Sequence, residues 1–186
     1  MLYAILKFGL DFSNLVKKDV ERNFDKAVEN LTNQDLEKVE EIKKIYKEFF
    51  YSEEAGDFVE LFSETKPVID KLSKKFKLVI WTNSSVENVK RDLSGLSLSR
   101  FSYILGGEDT GIKKPSGDGI LLVCKELSVK PEEAVYIGDA VVDLRASKEA
   151  GCTSAVICRS KLLEKFLKDE KPDFILKNLT ELVEKL

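Results

Sequence analysis

Apolar and polar positions change period along this chain, and the changes mark its elements. Tyr3-Ala-Ile-Leu-Lys-Phe8 is a short apolar run that ends in Gly9-Leu-Asp-Phe-Ser-Asn14, a strand leaving acidic and hydroxyl residues at its carboxyl end. Val16, Val20, Phe24, Ala27, Val28 and Leu31 then recur at helical spacing. Thr32-Asn-Gln-Asp35 has the composition of a helix cap, and Leu36, Val39, Ile42, Ile45, Tyr46, Phe49 and Phe50 continue the same period. Asp57 to Ser63 predicts a third, shorter helix with Phe58, Leu61 and Phe62 on one side. Roughly fifty residues of helix before the next strand far exceed an ordinary connection of about 2–6 residues. The insertion reads as a cap over the sheet edge. Its aromatics form the cap's own core, or around Phe49 to Tyr51 line a substrate pocket.

From Pro67 helices and strands alternate. Pro67 suits a first helical position, Val68, Leu72 and Phe76 share a face, and Lys77 to Trp81 is a β-branched strand. That strand ends in Thr82-Asn83-Ser84-Ser85, just ahead of a helix marked by Val86, Val89 and Leu93. Hydroxyls and free amides at a helix start suit an anion, and Ser84 or Ser85 equally suits a plain N-cap. Tyr103 to Leu105 predicts another strand, followed by Gly106-Gly-Glu-Asp-Thr-Gly-Ile-Lys-Lys-Pro115. Because the residue before proline is pushed toward an extended shape, Lys114 belongs on a turn at the start of the helix Ser116 to Leu127. Further strands are expected at Ala134–Ile137, Ser154–Cys158 and Asp173–Leu176, with helices ended by Gly151, carried by Leu162 to Leu167, and begun by Asn178. Such alternation implies an α/β fold, a three-layer Rossmann-like parallel sheet. Its expected limits are residues 1–13 and 67–186, with 14–66 as the helical cap.

The densest chemistry lies in Val135-Tyr-Ile-Gly-Asp-Ala-Val-Val-Asp143, where an apolar run ends at Gly138 and Asp139 and Asp143 follow. Carboxylates at the carboxyl end of a parallel strand sit where open α/β sheets bind ligands, and their oxygens suit a hard cation such as Mg²⁺. A second reading makes Asp139 a helix N-cap.

Composition narrows the classes. Charged residues make up 34% with both signs interspersed and a net charge of -3, so there is no field for nucleic acid or an anionic membrane. Met1 to Leu10 is interrupted by Lys7 and reads as neither a signal peptide nor a membrane span, which places the protein in the cytoplasm. Cys124, Cys152 and Cys158 lack metal spacing and read as reduced core residues. With no histidine, imidazole bases and His-ligated metals are excluded.

Three stretches in this order resemble motifs of the haloacid dehalogenase superfamily of phosphatases and related hydrolases: Val79-Ile-Trp-Thr82-Asn83, Lys114-Pro115 and Gly138-Asp139-Ala-Val-Val-Asp143. The helical insertion is similar to the cap of that family's phosphoglycolate phosphatase-like branch. The resemblance implies a Mg²⁺-dependent phosphatase acting on a small phosphorylated molecule. Asp11, Asp139 and Asp143 would serve the metal, Thr82, Asn83 and Lys114 the phosphoryl group, and Asp11, Thr82 and Lys114 the catalysis. The family's first motif, Asp-x-Asp-x-Thr, is altered here. Laid on Phe8-Gly-Leu-Asp-Phe-Ser13, it puts Gly9 at the nucleophile and Asp11 at the acid–base position. A register slipped by two makes Asp11 the nucleophile. Gly9 has no side chain for an aspartyl-phosphate, so a non-catalytic member that binds a phosphorylated ligand or partner stands as the alternative, with an inert scaffold behind it.

Overall fold

A computed structural model describes Thr32, residues 34–159, Glu164 and residues 167–186. The expected first strand, the helical pattern from Val16 to Leu31, and Gly9, Asp11 and Ser13 lie outside the described residues. The chain divides into two compact units, Met1–Val59 and Glu60–Leu186.

In the first unit, helix α1 spans Leu36–Phe50 and begins where the cap sequence places it. Asp35 is the N-cap, its carboxylate accepting from the Lys38 backbone N–H at 3.3 Å. Val39 and Ile42 are buried, and the Phe50 ring stacks on Tyr46 with centroids 5.5 Å apart. The expected α-helix from Asp57 to Ser63 does not form. A 3₁₀ turn occupies Glu53–Phe58 instead, and Val59 is already extended. Gly56 and β-branched Val59 each disfavour a continuing α-helix, by about 1 kcal/mol or less.

The second unit alternates as expected. Helix α2 (Thr65–Leu72) leads to β1 (Leu78–Thr82), α3 (Val86–Asp92), β2 (Phe101–Gly106) and the single turn α4 (Gly107–Thr110). After it come α5 (Asp118–Glu126), β3 (Val135–Gly138), α6 (Val141–Ala150), β4 (Thr153–Ile157), β5 (Phe174–Leu176) and α7 (Leu179–Val183). Pro67 is the third residue of α2 rather than the first, since the helix starts at Thr65. The missing N–H still costs nothing there, because first-turn amides have no intrahelical acceptor. Gly151 closes α6 in the left-handed region at φ 73, and Asn178 caps α7 through its side-chain oxygen.

Among the described residues all pairings are parallel. β1 lies beside β2 with Thr82 level with Gly106, and β3-β4-β5 form a second ladder with Gly138 level with Val156. Strand alternation then sorts side chains into two layers of core. Val79, Trp81 and Tyr136 pack with Ile120, Val123, Ala146 and Ala150 of α5 and α6. Leu78, Val135 and Ile137 pack with Val68 and Leu72 of α2 and Leu182 of α7. Sheet between two helical layers is the three-layer α/β arrangement that the sequence pattern implies. Cys124 and Cys152 are buried thiols in the first layer, and burial pushes the Cys152 thiol up to about 11, so it stays protonated. Among the described residues no helix is long and apolar enough to cross a membrane.

One glycine sets how closely α5 meets β1. A Cβ at Gly119 would lie 2.2 Å from Cε2 of Trp81. Gly119→Ala is therefore expected to destabilise the fold by about 1–3 kcal/mol through overpacking. Urea unfolding checks this, and an unchanged midpoint would contradict it.

Candidate functional site

The site is built where β1 and β3 end, and the Asp143 carboxylate joins its parts. Asp143 lies in the first turn of α6, and Oδ2 folds back to accept the backbone N–H of Asp139 at 3.1 Å and of Ala140 at 2.9 Å. This closes the helix start, so Asp143 does the capping that a simpler reading gives to Asp139. The fold-back needs Gly138, where a Cβ would stand 2.2 Å from that of Asp143. Oδ1 accepts from Lys114 Nζ at 2.8 Å and from the Tyr136 hydroxyl at 3.3 Å. With side chains 14% and 5% exposed, Lys114 and Asp143 form a largely buried ion pair. Both partners are desolvated, so neither charge could stay there alone.

Lys114 is held by its backbone as well. Asn83 Oδ1 accepts the Lys114 N–H at 2.7 Å, and Asn83 Nδ2 donates to the Lys114 carbonyl at 3.2 Å. Both ends of the Asn83 amide are thus engaged with a residue 31 positions away. Lys114 stands on the expected turn, and its helix, α5, starts at Asp118 rather than Ser116. The bond between Lys114 and Pro115 is cis.

Thr82, the last residue of β1, accepts the Ser84 N–H on Oγ1 at 3.1 Å. Its hydroxyl proton remains for a ligand oxygen, because a hydroxyl accepts and donates at once. The expectation of free amides at the start of α3 is not met at three of its positions. Besides Ser84, the Val86 N–H goes to Asp109 Oδ2 at 2.7 Å and the Asn88 N–H to its N-cap, Ser85 Oγ, at 3.2 Å. Asp109 reaches Val86 across Gly106, where any Cβ would collide with its carboxylate. The protein's own oxygens therefore occupy three amides at that helix end.

Two aromatics complete the surroundings. Trp81 precedes Thr82 and Tyr136 lies in β3, their rings meeting edge to face with centroids 5.6 Å apart. Lys114 Nζ is 5.6 Å from the Trp81 ring and 5.8 Å from the Tyr136 ring. Burial, reinforced by the Asp143 charge, pushes the Tyr136 hydroxyl well above its ordinary value of 10.0. Trp81 Nε1 is buried without a hydrogen-bond partner among the described residues. Such an unmatched donor costs about 1–3 kcal/mol.

The structure thus brings Thr82-Asn83, Lys114, Asp139 and Asp143 together through direct contacts, while Asp11 lies outside the described residues. The Asp139 side chain is exposed at the strand end. Among the described residues no three acidic or thiol groups converge closely enough to hold a metal ion by themselves. Trp81, Tyr136 and Asp109 were not legible as site residues. The two aromatics read only as strand residues, and their one signal is that each lies on the α5–α6 face of a strand that ends in a motif.

Comparison with known proteins identifies the family. The model of the haloacid dehalogenase-like hydrolase family matches residues 6–157, and the chain belongs to that family. A phosphoglycolate phosphatase of Shigella boydii is 29% identical over 149 residues, 79% of this chain and 59% of the relative. The chain thus spans less than two thirds of that curated relative's length. Among solved structures, a candidate haloacid dehalogenase-like hydrolase of Bacteroides fragilis superposes with a TM-score of 0.74 at 22% identity, covering 97% of this chain and 88% of that one. A candidate phosphoglycolate phosphatase of Lactobacillus plantarum gives 0.76 at 17% identity, over 99% and 87%. At these identities the structural likeness establishes the fold.

Two outcomes follow for stability. Asp143→Ala leaves the Lys114 ammonium buried without its partner and should cost about 3–5 kcal/mol in urea unfolding. Lys114→Met added to it should recover part of the loss, and additive losses would show the pair is uncoupled. The second outcome concerns alkaline pH. A tyrosine whose folded pKa is raised contributes stability that is full below its unfolded value of 10.0 and is lost as pH rises from there toward the folded value. The unfolding midpoint should fall above about pH 10 more steeply in the native chain than in Tyr136→Phe.

Proposed function

We propose that this chain is a Mg²⁺-dependent phosphomonoester hydrolase acting on a small phosphorylated metabolite, with a core of residues 1–13 and 67–186 and a substrate-selecting cap of 14–66. The observation that supports it best is Lys114, its ammonium held by Asp143 and its backbone clasped by Asn83, the residue that follows Thr82. A preorganised cation and a hydroxyl donor at a strand edge stabilise charge on transferring phosphoryl oxygens without reorganising during the reaction. Asn83 serves by holding the Lys114 backbone, because its own amide is engaged there.

The donor chemistry fits a hard cation. The Asp139 carboxylate is exposed at the carboxyl end of β3, with Asp143 fixing its backbone from behind. Asp139 and Asp11 would hold Mg²⁺, which when bound neutralises phosphoryl charge. Thr82 and Lys114 orient the phosphoryl oxygens and set the phosphorus in line for attack. With Gly9 at the first-motif position no aspartyl-phosphate can form there. Asp11 would then act as general base and acid: it takes a proton from the attacking water as the new P–O bond forms, and returns that proton to the leaving oxygen as the ester P–O bond breaks. The interspersed charge and net -3 suit a cytoplasmic enzyme of small metabolites.

Gly9 also favours a second reading, in which the pocket binds a phosphorylated ligand without consuming it. One experiment separates the two. The purified chain with Mg²⁺ is offered a panel of phosphomonoesters that includes phosphoglycolate, the compound in the name of the Shigella boydii relative. Released phosphate, abolished in Asp11→Asn and at least about 100-fold lower in Lys114→Ala, is expected of the hydrolase. Calorimetric binding with no release, and turnover gained by Gly9→Asp, would instead establish the binding member.

A further inference from the structure

We infer that Trp81 and Tyr136 are positioning residues for Lys114, two aromatic walls that hold its ammonium at the point where a phosphoryl group is gripped. The inference rests on the phosphoryl-binding reading above and adds the groups that set the strength of that grip.

A lysine ammonium is a compact charge on a flexible four-carbon stem, so a single ion pair leaves its position loosely defined. Here the pair is one hydrogen bond of 2.8 Å to Asp143 Oδ1. The two rings add what the pair lacks. They come from β1 and β3, which belong to separate ladders, and both centroids lie within about 6 Å of the ammonium, the range over which a ring face attracts a cation. The Tyr136 hydroxyl also donates to the same carboxylate oxygen that binds Lys114, so the second wall fixes the partner as well as the cation. Trp81 is not oriented by hydrogen bonding, since its Nε1 has no partner among the described residues. Gly119 of α5 packs directly against the indole and holds the ring in place, and the indole in turn meets Tyr136 edge to face. The motif positions supply charge and hydroxyl, and these two core aromatics narrow where the charge held by Asp143 stands.

The chain contains one tryptophan, so its emission reports this site alone. The full-length protein is titrated with inorganic phosphate, following Trp81 emission and calorimetric heat. Native protein should show an emission change that saturates with the heat and is absent in Lys114→Met. Tyr136→Leu and Trp81→Leu should weaken phosphate about tenfold, and Tyr136→Phe, which restores the ring, should recover most of that loss. If Trp81→Leu does not fold, Trp81→Phe replaces it, with an expected loss of about threefold. Equal phosphate affinity in folded ring-deleted variants overturns the inference. A second readout needs no ligand. In a ¹H–¹⁵N spectrum of the lysine ammonium groups, the held Lys114 should give a resolved Nζ signal, assigned by its loss in Lys114→Met. That signal should broaden away in Tyr136→Leu. If native protein binds no phosphate, the phosphoryl reading fails by itself and this signal decides the cage: its persistence in Tyr136→Leu overturns the inference, and its loss upholds it.

Discussion

One carboxylate ties this molecule together. Asp143 accepts two backbone amides, a lysine ammonium and a tyrosine hydroxyl, so every oxygen lone pair that could bind a metal directly already has competition. Its position follows from local geometry, since the first turn of a helix presents unsatisfied N–H groups and favours a negative charge. Gly138 supplies the clearance, and β3 delivers the turn to the sheet edge. The same carboxylate that starts α6 therefore also decides where the one buried lysine of the site stands.

That economy makes each member of the site depend on the others. The ion pair is nearly dry, and a dry pair holds together only while both members and their hydrogen bonds are present. Lys114 is anchored at both ends, by Asn83 on its backbone and by Asp143 on its ammonium. Since Asn83 follows Thr82 directly at the end of β1, the loop bearing Lys114 is tied to the strand that ends in the hydroxyl donor. The lysine loop and the strand end are joined before any ligand arrives, and preorganisation of that kind serves tight binding and transition-state stabilisation equally.

The family membership and the proposed reading of Gly9 meet at this point. The Lys114–Asp143 pair and the Asn83 clasp stand among the described residues, while the proposed alignment puts Gly9 where the family's first motif carries its leading carboxylate. A binding pocket can survive loss of a nucleophile because the two depend on different residues: one is a set of fixed donors, the other a single attacking atom.

Much of the fold was present in the order of residues. Short apolar and β-branched runs between helical patterns predicted each described strand to within a residue or two, because strand propensity and turn punctuation are local properties. Motif positions were legible for the same reason: Thr82, Lys114 and Asp139 stand at strand ends and turns that sequence punctuation marks. The α-helix expected over Asp57 to Ser63 failed because apolar spacing alone could not weigh Gly56 and Val59. Partnership was the part that no pattern carried. Asp109 filling the start of α3, Asn83 clasping Lys114 and two core aromatics flanking an ammonium depend on contacts of about 3 to 6 Å between distant segments. Such contacts arise only when helices and strands pack at particular distances. The sequence by itself determined which groups reach the sheet edge, and tertiary packing decided which of them hold one another and which remain for a ligand.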